Sequence, residues 1–155
     1  MDTQPLLLAI KPHFAELILQ GRKAYEYRRT VRRVRPGTIV LLYATSPLSA
    51  IVGHFTAGEV LIDSPDDLWD MTAHGGGIRK GDFDAYFAGV TEGCAVEVKG
   101  AIKWTSPLGL QQLRRLLPGF VPPRCVQSVE SDSPLVSRAV AEANNGHGNH
   151  RKARS

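Results

Sequence analysis

The apolar residues of this chain come in short runs, each closed by proline or glycine. Residues 6–11 run Leu-Leu-Leu-Ala-Ile-Lys and stop at Pro12, residues 38–44 stop before Pro47, and residues 48–62 are interrupted by Gly53 and Gly58. Runs this short suit strands of a small sheet, with glycines marking bulges or bends. None approaches the ~18–20 apolar residues of a membrane span. The first residues, Met1 to Pro5, lack the basic start of a secretory signal, so a cytoplasmic protein is expected.

Helical patterning falls between these runs. Pro12 can open a helix whose apolar side is Phe14, Leu17, Ile18 and Leu19, and Gly21 stops it. Asp63-Ser64-Pro65-Asp66-Asp67 is a helix start, followed by Leu68, Trp69 and Met71 as inward residues. Residues 81–89 carry Phe83, Tyr86 and Phe87, and residues 108–117 carry Leu110, Leu113, Leu116 and Leu117. Further strands are expected over 23–31, 94–104 and 124–129, with Pro36-Gly37 turning a hairpin between 23–31 and 38–44. Trp69, Tyr86, Phe87 and Trp104 read as core. The sum is an α+β protein, a small barrel of about five or six strands flanked by short helices. One domain is expected over 1–130. Residues 131–155 are poor in apolar side chains and end in Arg151, Lys152 and Arg154, which predicts a disordered basic tail.

Charge is unevenly spread. Residues 22–35 hold seven basic side chains against the single acid Glu26, whereas residues 59–97 hold nine acids against Arg79 and Lys80. A basic stripe attracts polyanions, phosphate above all. The sequence contains no P-loop, since Gly75-Gly76-Gly77 lacks the spacing and the preceding strand. Cys94 and Cys125 have no metal-ligand or redox spacing, and no metal or cofactor is expected.

Within 23–31 the alternation of a strand puts Glu26 and Arg28 on one face and Tyr25, Tyr27 and Arg29 on the other. Lys23, just after Gly21, can project to either. A glutamate between Lys23 and Arg28 can orient both cations, which in turn can hold a phosphate. Burial of the trio would suit acid–base work; exposure would leave a surface ion pair at a strand edge. At the exit of the strand over 38–44, Tyr43, Thr45 and Ser46 can contact a base or a phosphate, or can form a turn with their own backbone.

The chain resembles the ASCH family, in particular small proteins described as transcriptional regulators with an ASCH domain. The resemblance rests on Ala9-Ile10-Lys11-Pro12, Gly21-Arg22-Lys23 with Glu26 and Arg28-Arg29, and Leu42-Tyr43-Ala44-Thr45-Ser46-Pro47. It continues through Ile51-Val52-Gly53, Leu68-Trp69, Tyr86-Phe87, Pro107-Leu108, Pro122-Pro123 and Gln127-Ser128, in order over about residues 5–130. It implies a PUA-like barrel with a helix beside a cleft, and a link to RNA. Some ASCH proteins look like acetylcytidine amidohydrolases, with a Gly-Arg-Lys-Thr-x-Thr-x-Arg run, and another is described as a ribonuclease. Lys23 and Arg28 match that run, but Ala24 and Glu26 stand at its two threonines. A carboxylate does not replace a hydroxyl nucleophile in the same chemistry.

Three functions are therefore expected, in this order. The first is a module binding RNA or a nucleoside, with contacts from Lys11, Arg22, Arg28, Arg29, Arg32, Arg33, Tyr43, Thr45, Ser46 and Ser128. The second is a metal-independent ribonuclease or amidohydrolase using Lys23, Glu26 and Tyr25. The third is a DNA-binding regulator, for which no helix-turn-helix is seen.

Overall fold

The computed structural model describes residues 3–30 and 34–154, with side chains through residue 145. Strands β1 (Leu6–Ile10), β2 (Tyr25–Arg28), β3 (Ile39–Ala44), β4 (Ala50–Asp63), β5 (Gly93–Gly109) and β6 (Val126–Ser128) form one sheet in the order β2-β5-β4-β3-β1-β6. Helices α1 (Pro12–Leu19), α2 (Pro65–Thr72), α3 (Lys80–Tyr86), α4 (Leu110–Leu116) and α5 (Pro134–Arg154) flank it, with a 3₁₀ turn over Ala73–Gly75. The sheet is a mixed, curled half-barrel, the α+β fold expected. Among the described residues only the β1–β3 pair is parallel, joined by the crossover that contains α1 and β2.

The curl originates in the two long strands. Pairing of β4 with β5 slips between Ile51 and Gly53, between His54 and Thr56, and between Ala57 and Val60. The first slip leaves three extra residues on β5, the second one on β5 and the third one on β4, and such irregularities increase the local twist. Gly53 sits at one of them because its position leaves no room for a side chain: a Cβ there would lie 2.4 Å from the Ile102 carbonyl oxygen.

The curl sorts the apolar residues into three clusters. Inside the half-barrel Leu8, Ile10, Val40, Leu42, Phe55 and Val96 pack with Ala15 and Ile18 of α1. On the other face Leu7, Leu41, Tyr43, Trp104 and Leu108 pack under α4 and α5. The third cluster places Tyr27 and Ala95 beneath Leu68, Phe83 and Phe87 of α2 and α3. Trp104 and Phe87 are buried, as expected of core residues.

Two expectations are corrected. The turn at Pro36-Gly37 does not close a hairpin, because β2 pairs with β5 at the far end of the sheet from β3. Alternation explains it: with Tyr25 and Tyr27 in the third cluster, β2 completes the sheet against Ala95 and Glu97. The segment after 131 is helical from Pro134, where a disordered tail was expected, and it buries Leu135, Ala139 and Glu142. Few apolar residues suffice there, because a buried polar network does part of the anchoring. The Glu142 carboxylate accepts from the Thr105 backbone N–H (3.0 Å), the Thr105 hydroxyl (3.0 Å) and Arg138 Nε (2.8 Å). Arg138 also lies over the Trp104 ring, whose indole N–H donates to His54 Nδ1 at 2.9 Å.

Candidate nucleic-acid cleft

The sheet ends at β2 on one side and β6 on the other, and these edges do not pair. Between them lies a cleft of about 320 Å³. Its floor is the inner face of the half-barrel: Leu6, Leu8, Val40, Phe55 and Val96. Its rim carries Glu26, Arg28 and Thr30 from the β2 side and Gln127 and Ser128 from β6. An apolar floor with a few placed polar groups is the usual build of a ligand site.

A second lobe of about 190 Å³ adjoins it, lined by Lys11, Phe14, Lys23, Tyr27, Ile78 and Tyr86 together with Glu26 and Arg28. Glu26 and Arg28 are thus the wall common to both lobes. Alternation along β2 turns both into the first lobe and packs Tyr27 in the third cluster, its ring bordering only the second lobe.

Lys23 reaches the second lobe because α1 ends abruptly. Gly21 has φ +75°, and the backbone N–H groups of Arg22 and Lys23 both donate back to the Leu17 carbonyl. That turn points Lys23 inward, where it is only 2% exposed. Its ammonium donates to the Gly76 carbonyl and lies 4.8 Å from the Tyr27 ring centre and 5.4 Å from that of Phe14. Glu26 is 8% exposed, with Oε1 3.9 Å from Lys23 Nζ, an ion pair too long for a hydrogen bond. Burial lowers the Lys23 pKa, against the opposing pull of Glu26. Burial raises that of Glu26, against Lys23, Arg28 and the Tyr27 N–H. Both shifts favour the neutral form of the group.

The other predicted residues divide. Lys11, exposed at the start of α1, lines the second lobe, and Ser128 lines the first. Arg22 is exposed just before Lys23. Arg29 lies outside the cleft, with its guanidinium on the Tyr86 (2.8 Å) and Ala88 (3.3 Å) carbonyls at the end of α3. Tyr25 is also outside it, packed in the third cluster and edge-on to His74, so it is not beside Glu26. Tyr43 is corrected: at 3% exposure it is core against Phe120, because Val40 and Leu42 of β3 pack inside the half-barrel while Leu41 and Tyr43 pack on the other face. Thr45 and Ser46 form the turn after β3, the Thr45 carbonyl accepting from Leu48 N–H at 3.1 Å, and neither lines the cleft lobes. Arg32 and Arg33 lie outside the described residues. Sequence reasoning missed Tyr86, Phe14 and Ile78 as cleft walls. It also missed Gly76, whose part in the site has no signature beyond its lack of a side chain.

Among the described residues no group of three His, Cys, Asp or Glu side chains is placed to hold a metal ion. Nor is any helix long and apolar enough to cross a membrane. Cys94 is buried in the half-barrel, which pushes its thiol up to about 11, and Cys125 is exposed; both are free.

Curled sheet, flanking α1 and cleft between unpaired edges together define a PUA-like fold of the ASCH class. The ASCH domain matches residues 8–100, well over half the chain, and the protein belongs to the ASCH domain family. An ASCH domain-containing ribonuclease of Zymomonas mobilis is 23% identical over 79% of this chain and 82% of its own length. The crystal structure of an ASCH protein from that organism superposes with a TM-score of 0.80 at 21% identity, covering 90% of this chain and 96% of the other. The large ribosomal subunit protein uL22 of Ureaplasma parvum is 24% identical over 71% of this chain, but only 35% of its own length is matched. None of these relatives is named as a transcriptional regulator.

Proposed function

We propose that this protein binds single-stranded RNA or a nucleoside in the cleft between β2 and β6. The observation that carries this is the shared wall. Glu26 and Arg28 stand between an apolar lobe and a lobe bearing Lys11 and Lys23. The apolar floor suits a base, whose amino and ring N–H edges suit Glu26, Gln127 and Ser128. The three cations suit the phosphate or sugar side. A single strand, with its bases unstacked, is the form of RNA that can enter such a cleft.

A second reading is that the same cleft cleaves RNA without a metal, and the buried Lys23–Glu26 pair favours it. In that reading Glu26 moves a proton of the attacking or leaving oxygen, while Lys23 and Arg28 stabilise the charge developing on the phosphate. The ribonuclease name of the Zymomonas mobilis relative supports this direction.

One experiment separates the two. Labelled single-stranded RNA, a panel of modified cytidines and duplex DNA are each incubated with the protein in EDTA, beside Lys23→Ala and Glu26→Gln. Product that vanishes in both variants establishes the enzyme. Salt-sensitive RNA retention without product, weakened by Lys23→Ala, establishes the binding module. A preference for duplex DNA, or retention indifferent to both substitutions, would contradict the assignment of the cleft.

A further inference from the structure

The glycine run that fails as a phosphate loop lies against β2 instead. The Gly75 carbonyl accepts from the Ala24 backbone N–H at 2.6 Å, and the Gly76 carbonyl accepts from Lys23 Nζ. Gly77, at φ +66°, leaves its missing Cβ position 3.1 Å from Lys23 Cβ and Cγ. Three successive residues thus track the backbone, head and stem of the segment that opens β2. A side chain would crowd Gly75, would clash at Gly76 and would be strained at Gly77 by its positive φ. A Cβ on Gly76 would lie 2.0 Å from Tyr27 Oη, and one on Gly75 would lie 3.0 Å from Ala24 Cβ.

The Tyr27 ring is itself held. Its hydroxyl shares a 2.7 Å hydrogen bond with Thr72 Oγ1, and that hydroxyl donates to the Leu68 carbonyl at 2.7 Å. The end of α2, the 3₁₀ turn and the glycines therefore form one clamp over Lys23, closed beneath by the Phe14 and Tyr27 rings. We infer that Gly75, Gly76 and Gly77 are positioning residues for Lys23: they hold its ammonium on the Gly76 carbonyl, 3.9 Å from the Glu26 carboxyl. A carbonyl acceptor and two ring faces favour the charged amine, which offsets part of the cost of burying it. This inference rests on the cleft being the binding site, but its test does not.

The test measures acetylation of Lys23 by mass spectrometry on the full chain, from neutral to alkaline pH. The decisive variant replaces the Gly76–Gly77 peptide bond by an ester, which weakens the Gly76 carbonyl as an acceptor with little steric change. Gly76→Ala is the second variant, and Gly81→Ala, whose Cβ would meet nothing within 4 Å, is the control. The clamp predicts that Lys23 is labelled roughly tenfold faster or more in the ester variant, the size expected for losing a hydrogen bond to a charged group. Its labelling midpoint should move to lower pH, with Lys80 and Lys103 unchanged in all variants. Gly76→Ala should follow the ester, and Gly81→Ala the parent. Unchanged Lys23 labelling in the folded ester variant would overturn the inference. Faster labelling with unaltered RNA retention would uphold the clamp while counting against Lys23 in the RNA site.

Discussion

Two buried glutamates sit on opposite faces of this sheet, and their surroundings treat them in opposite ways. Glu142 on α5 is 4% exposed, yet its carboxylate receives two hydrogen bonds from Thr105 and one from Arg138. Burial alone would raise its pKa; those donors outweigh it and hold the group below the usual carboxylate range. Glu26 has an ion-pair partner at 3.9 Å and is held above that range by burial. A buried carboxylate held low by its donors anchors an element, whereas one that burial holds high on the wall of a cleft is a candidate functional group. The same contrast separates the two arginines on β2 and its flank: Arg28 lines both lobes, while Arg29 is committed to carbonyls.

The largest expected effect is on the anchored side. Glu142→Ala should cost about 2–4 kcal/mol of stability, because Thr105 and Arg138 lose their acceptor and α5 its tie to β5. A denaturant titration checks it, and a loss below about 0.5 kcal/mol would break the comparison. Next, Arg28→Glu should weaken RNA retention by roughly tenfold or more and flatten its salt dependence. Arg29→Glu should change it less than Arg28→Glu does.

The two glutamates should also respond to acid with opposite sign. The Glu142 pKa is lower folded than unfolded, so its contribution is present above its ordinary value of 4.5 and is lost as pH falls through the folded value. The Glu26 pKa is higher folded than unfolded, so its contribution is present below 4.5 and is lost as pH rises through the folded value. Glu26→Gln should therefore leave the protein as stable at neutral pH, or up to about 1 kcal/mol more so, while impairing the cleft. The parent's loss of stability as pH rises past 4.5 should be smaller in that variant. Thermal unfolding of parent and variants across that range reads both signs.

The cleft wall was legible in the sequence because a strand's two-residue period alone assigns Glu26 and Arg28 to one face. Tyr43 was misplaced because the same period had no anchor at the end of β3; pairing with β1 and β4 decides which face is odd and which even. The partner of β2 could not be read, since a proline–glycine turn signals a reversal but not which strand lies beside it. Helix α5 was hidden because its anchorage is polar: His54, the Trp104-Thr105 pair and the Arg138/Glu142 pair lie on three separate segments and meet only through β4, β5 and α5. The clamp on Lys23 was hidden for the same reason, as glycines that make room for a distant strand carry no local pattern.

The most direct test of the central claim locates the ligand on one face or the other. A short single-stranded RNA of mixed sequence would be titrated into isotope-labelled protein while backbone amide and lysine resonances are followed. The cleft predicts shifts concentrated on Lys11, Lys23, residues 25–28 and residues 126–128, with Thr105, Arg138 and Glu142 still. Shifts centred on the α5 face, with β2 and β6 silent, would contradict it.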